Sequence, residues 1–118
     1  MRMSMDAEME LCIRHCLQCY QVCEQTMVHC LKKGGQHAAP DHIAVMTDCA
    51  KACATSADFM IRSSRHHFEL CGLCARICDQ CAMECQRMED DEQMRQCAQV
   101  CRQCGESCRQ MAGAGAQA

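Results

Sequence analysis

The chain has 118 residues, with 12 Lys and Arg against 15 Asp and Glu, a formal charge of −3 and 49% apolar residues. Of those apolar residues, 16 are Cys and 11 are Met, while Leu, Ile, Val and Phe together make only about 13% of the chain, below the roughly 20% expected of a hydrocarbon core. This excludes a conventional oily core. A near-neutral charge with no basic run and three aromatic residues argues against nucleic acid as a partner, and no run of ~20 apolar residues is present to cross a membrane.

Four helices are expected in one domain, residues 1–118. The first covers 5–33 and stops at Gly34 and Gly35, a double stop signal. Residues 34–40 (GGQHAAP) form the linker. Asp41 is the expected cap of the second helix, 41–63, and Ser64 that of the third, 65–88. Cys49, Cys53, Ser56, Met60, Ser63, His67 and Cys71 keep an unbroken spacing across that boundary. A single helix over 41–88 would, however, be roughly 70 Å long, too long for this small domain. The acidic break at Glu89, Asp90 and Asp91 lets Asp90 or Asp91 cap the fourth helix, 91–111, and residues 112–118 read as a flexible tail.

The cysteines stand at 12, 16, 19, 23, 30, 49, 53, 71, 74, 78, 81, 85, 97, 101, 104 and 108. Within each expected helix every interval is 3, 4 or 7. That is the inward seam of a helix bundle, normally filled by Leu and Ile. Met5, Met9, Thr26, Met88, Met94 and Met111 continue the same stripe. A second stripe lies one residue over, at Ile13, Leu17, Tyr20, Met27 and Leu31 in the first helix and Leu70, Leu73 and Ile77 in the third. It suits contacts between helices or between subunits.

Buried thiols can serve as small hydrophobes, but sixteen on one seam give up core volume and invite oxidation. Disulfides fit poorly, because residues i and i+4 of one helix have nearly parallel Cβ directions. Residues 1–11 carry Asp6 and Glu8 where a signal peptide needs its apolar stretch. A cytoplasmic location follows as the expectation, and there thiols stay reduced and many cysteines point to metal.

Soft thiolates select Cu(I), Zn or Fe–S clusters. No Cys pair sits on an expected turn, as zinc knuckles require, and the ferredoxin run is absent. Four Zn²⁺ among sixteen thiolates would leave a charge of about −8 in a dry core, which is costly, whereas monovalent Cu(I) can balance each thiolate. Cu(I), in many ions per chain, is the metal that fits best.

The runs Cys12-x3-Cys16-x2-Cys19-x3-Cys23, Cys71-x2-Cys74-x3-Cys78-x2-Cys81-x3-Cys85 and Cys97-x3-Cys101-x2-Cys104-x3-Cys108 resemble those of the cytosolic copper storage proteins. The likeness extends over about residues 8–111. It implies an all-α, antiparallel four-helix bundle with a Cys-lined core, commonly assembled as a homotetramer. It also implies storage or sequestration of Cu(I), not catalysis, with a copper chaperone or a small thiol as donor or acceptor. In one respect the chain departs from its relatives: no His stands between Met88 and Met94, where they often carry one. An entrance at that end would then be built on thioethers.

Antiparallel helices bring Cys30, His42, Met46, Met88 and Met94 to one end of such a bundle. Met5, Met9, Met60, His67 and Met111 gather at the other. All sixteen cysteines are the candidate metal ligands, with His67, His42, Met46, Met88 and Met94 as weaker candidates. His15, His29, His37 and His66 read as surface or cap residues. Two other readings compete: a thiol–disulfide redox protein using its Cys-x-x-Cys pairs, and a structural bundle holding zinc. A reactive redox pair sits at a helix N-terminus, yet Cys16/Cys19, Cys78/Cys81 and Cys101/Cys104 are mid-helix and only Cys71/Cys74 lies near a start.

Overall fold

The computed structural model describes residues 5–116. Four helices follow one another: α1 (Met5–Lys33), α2 (Pro40–Ile61), α3 (His67–Gln86) and α4 (Glu92–Ala116), with a 3-10 turn at Gly35–Ala38 between the first two. Helix α1 packs against α2 and α4, and α3 packs against α2 and α4. The result is an up-and-down four-helix bundle 46 Å along its longest axis. The side chain of Met5 and residues 117–118 lie outside the described residues.

Each boundary has a local cause. Helix α1 opens with Asp6 and Glu8 and closes with Lys32 and Lys33, charges that complement its dipole. It ends because Gly34 takes φ 74° and Gly35 φ 58°, a region that side chains with a Cβ avoid. The Gly34 amide closes the last turn on the Cys30 carbonyl at 3.0 Å. Asp41 does not cap α2. Pro40 occupies the first turn, where its missing amide costs nothing, and the N-cap is Ala39 without a side-chain bond. That leaves Asp41 inside the first turn as a favourable charge.

The second helix stops two residues short of the expected 63. Ser63 adopts φ 56°, and the amides of Ser63 and Ser64 bond back to the carbonyls of Met60 (3.0 Å) and Phe59 (2.9 Å). This paired return is a Schellman stop. Ser64 is consequently not the cap of α3: its hydroxyl accepts the His66 amide within the turn at 3.2 Å, and α3 starts at His67 with His66 as N-cap. The third helix ends at Gln86, so Met88 belongs to the following turn. Asp91 caps α4 through its side chain, accepting the Met94 amide at 3.1 Å. Helix α4 continues beyond 111 to Ala116, so most of the expected tail is helical.

The core is sulfur. All sixteen cysteines are fully buried, as are Met46 and Met94, with Met60 and Met111 nearly so. Small residues such as Ala50, Ala57, Ala75, Ala82 and Ala98 let the helices approach around them. At Gly105 a Cβ would lie 2.8 Å from the Asp79 carboxylate and 3.5 Å from the Ala75 carbonyl, so α3 and α4 meet there at nearly backbone distance. Of the second apolar stripe, Ile13 is buried, but Leu17, Tyr20, Leu31 and Leu73 are 40–59% exposed.

Candidate metal centre

The 3- and 4-residue spacing on four antiparallel helices turns every cysteine toward the bundle axis, where the thiols meet in successive groups. Within each group all sulfurs lie within 4.8 Å of one another. From the end formed by the α1 N-terminus, the first group is Cys12, Cys71 and Cys108, and the second is Cys16, Cys74, Cys104 and Cys108. Next come Cys19, Cys53, Cys78 and Cys104, then Cys19, Cys23, Cys49 and Cys101, then Cys23, Cys81, Cys97 and Cys101. Cys108, Cys104, Cys19, Cys23 and Cys101 each belong to at least two groups. Sharing makes the thiols one continuous ladder.

The nearest sulfurs are 3.5 Å apart at Cys16 and Cys108 and 3.6 Å apart at Cys53 and Cys78. The Cys12–Cys108 and Cys19–Cys101 approaches are both 3.8 Å. All sixteen are free thiols. With metal–sulfur bonds of about 2.3 Å, sulfurs at such separations can bind one ion with little movement. Because adjacent groups share thiols, separate closed tetrahedral zinc sites cannot occupy every group without bridging sulfurs. A low-coordinate monovalent ion faces no such restriction. Neighbouring thiols, Cys19 first for Cys101 and Cys108 first for Cys104, act together with burial to push these two central thiols up and keep them protonated. Loading must release those protons.

The end at the α1 C-terminus has different chemistry. The Cys30 sulfur lies 3.4 Å from His42 Nε2, 3.6 Å from His37 Nδ1 and 3.4 Å from Met94 Sδ. The other ring nitrogen of His42, Nδ1, faces Glu84 Oε1 at 3.2 Å, which orients the ring as carboxylates do for metal-binding imidazoles. Burial pushes the Cys30 thiol up to about 11, with Asp91 and Cys97 adding to it and Lys33 opposing. Burial, assisted by Lys33, also pushes His37 down, toward the neutral imidazole that binds metals. Between this end and the ladder stands Thr26, fully buried, its hydroxyl donating to the Val22 carbonyl at 2.6 Å and accepting from Gln93 Nε2 at 2.9 Å.

At the opposite end His67 is buried, its ring 4.0 Å from that of Phe68. Its Nδ1 is buried without a hydrogen-bond partner among the described residues, an arrangement that suits a ligand. Burial lowers its basicity, with the nearby Cys12 opposing. Met46 is fully buried on α2, one turn after His42. Met88 is half-buried, packed against the core from the α3–α4 turn. The sequence reading missed His37. The pair of glycines reverses the chain after α1 and lays the 3-10 turn back over Cys30, and the only signal in the sequence was Gly34-Gly35 shortly before the next helix.

Fold and ladder together define a thiol-cored metal-binding bundle. A family model described as copper storage protein matches residues 5–113, so the chain belongs to the copper storage protein family. Among solved structures, it is 44% identical to the Nmul_A1745 protein of Nitrosospira multiformis, covering 92% of this chain and 98% of that one at a TM-score of 0.86. The Cu(I)-bound copper storage protein BsCsp3 of Bacillus subtilis is 35% identical over 89% of this chain and 98% of its own, with a TM-score of 0.83. The copper storage protein of Streptomyces lividans, described as cytosolic and solved with five coppers, is 28% identical over 90% of this chain and 92% of its own, with a TM-score of 0.75.

Proposed function

We propose that this chain stores or sequesters Cu(I), many ions per chain, for copper homeostasis or detoxification. Its ligands are the thiolates of Cys12, Cys16, Cys19, Cys23, Cys30, Cys49, Cys53, Cys71, Cys74, Cys78, Cys81, Cys85, Cys97, Cys101, Cys104 and Cys108. The single observation that carries this reading is the sharing of Cys104, Cys108, Cys19, Cys23 and Cys101 between successive groups, which makes a path for many soft monovalent ions. The multi-copper and Cu(I)-bound relatives support it.

His42 and Met94 at one end, and His67 at the other, supply weaker and exchangeable ligands, with Met46 and Met88 lining the first of these ends. Copper exchanges at the Cys30 end, where the donors are mixed and surface depressions lined by His37 and by His42 reach the cluster. The donor or acceptor is a copper chaperone or a small thiol. The chain acts in the cytoplasm, consistent with the cytosolic relative and with the lack of any described helix long and apolar enough to cross a membrane. It works as a carrier, not an enzyme: sixteen thiols at zero exposure offer no accessible nucleophile for disulfide exchange. Four chains assemble, covering the exposed Leu17, Tyr20 and Leu31 of α1.

The test is metal content after expression in copper-rich and in zinc-rich media. Copper in multiple equivalents from the first, with little zinc from the second, is expected. Stoichiometric zinc from both would favour a structural zinc bundle instead.

A further inference from the structure

The four donors gathered at the Cys30 end differ in kind from the ladder: one thiolate, two imidazoles and one thioether. Cys30 and Met94 are fully buried and His42 is 2% exposed. The two imidazole nitrogens lie 3.4 and 3.6 Å from the thiol sulfur. With bonds of about 2.0–2.1 Å to nitrogen and about 2.3 Å to sulfur, those separations place each imidazole nitrogen roughly 100–115° from the thiolate around one ion. The rings of His37 and His42 stand nearly perpendicular, 84° at a centroid distance of 6.2 Å, so both meet on one ion after a small inward shift of His37, which sits on the short 3-10 turn. Met94 Sδ, 3.4 Å from the same sulfur, approaches from the first turn of α4.

Two imidazoles, a thiolate and a weak thioether form the ligand set of electron-transfer copper sites, in which copper is stable in both oxidation states. An all-thiolate ladder favours Cu(I) alone. We infer that Cys30, His37, His42 and Met94 form a separate copper centre of the blue-copper type, which holds Cu(II) as well as Cu(I) at the end of a Cu(I) store. Three features of the fold serve it. Gly34 and Gly35 return His37 over Cys30. Glu84 fixes His42 with Nε2 facing the sulfur. The hydrogen-bonded pair Thr26 and Gln93 interrupts the sulfur stripe between Cys23 and Cys30. In the redox step, Cu(I) at this centre gives one electron to a one-electron acceptor and becomes Cu(II), with the thiolate still bound and no proton transferred.

The inference rests on the storage reading only for copper as the metal, and one experiment separates them. Reduced protein is loaded with Cu(I), its copper content is measured, and one equivalent of ferricyanide per chain is added as the acceptor. The expected result is an intense visible thiolate-to-Cu(II) band, with a narrow-hyperfine paramagnetic signal for about one copper per chain. The Cys30→Ser variant loses the band, while Met94→Leu keeps it and shifts the midpoint potential upward. A spectrum of ordinary tetragonal Cu(II) with no thiolate band would overturn the inference, as would a band that persists in Cys30→Ser. Low copper content before oxidation would count against storage alone, since a single ion at Cys30 is enough for the colour test.

Discussion

The sulfur of Cys16 lies 3.5 Å from that of Cys108, although 92 positions separate them in the chain. Helices α1 and α4 run antiparallel, so residues near the two ends of the sequence meet on the bundle axis. Cys108 also joins Cys12 and Cys71 in the next group. The same thiol thus serves two sites, and this sharing distinguishes a ladder from a row of separate metal sites.

Removing a shared thiol should cost more capacity than removing an unshared one. Cys104 belongs to two of the four-thiol groups. Cys104→Ala is expected to lower the Cu(I) content by about two ions per chain, and Cys71→Ala, at the end of the ladder, by at most one. Each loses roughly 1 kcal/mol of metal-free stability from buried apolar surface. Copper analysis of the loaded variants decides; equal losses would argue against shared ligands.

Binding at the Cys30 end should depend on pH with a definite sign. The Cys30 thiol, pushed up to about 11 by burial first, is protonated at neutral pH, so an ion that binds its thiolate must displace one proton. Apparent affinity there should rise about tenfold per pH unit and level off above about 11. Competition titrations of wild type against Cys30→Ser at several pH values isolate this site. A difference that does not change with pH would contradict the assignment.

Asp91 ties the α3–α4 turn to α1. Its carboxylate accepts from Lys33 at 2.6 Å and faces His29 Nε2 at 2.8 Å while capping α4. Burial alone would raise this carboxyl, but the bonds from Lys33, His29 and the Met94 amide hold it well below the usual carboxylate range. A depressed value means that the stabilisation is present above about pH 4 and is lost as pH falls through the depressed value. Asp91→Ala should cost about 1–2 kcal/mol at neutral pH and flatten the acid limb of the stability curve. An unchanged acid limb in chemical unfolding would show that the pair contributes nothing.

Thr26 occupies the one ladder position on α1 between Cys23 and Cys30. Thr26→Cys should add about one Cu(I) per chain by continuing the ladder toward Cys30. It also removes the hydroxyl that accepts from Gln93 at 2.9 Å, at a cost of about 1 kcal/mol. Unchanged capacity would mean that the ladder does not run along this stripe.

The ladder was legible in the sequence because cysteine intervals of 3, 4 and 7 report helix periodicity directly, and thiols at that period must share an axis. An acidic cap for α4 was legible for a similar reason, although the sequence left it between Asp90 and Asp91 and the structure selects Asp91. Ser63 was not, since a serine with φ 56° gives no compositional warning of a Schellman stop. The cap expected at Asp41 failed because Pro40 competes for the first turn. His37 was hidden for a different reason. Its place beside Cys30 depends on the path of a reversed turn, not on any helical period, so the sequence offered His42 of α2 at this mouth but not the second imidazole, which comes from the α1–α2 connection.

The most direct test of Cu(I) storage is titration of fully reduced, metal-free protein with Cu(I) against a competing chelator. Sixteen buried thiols, most of them joined in the shared ladder, require saturation well above four ions per chain, near the thiol count. Saturation at one to four ions would contradict storage and return the bundle to a structural or sensing role.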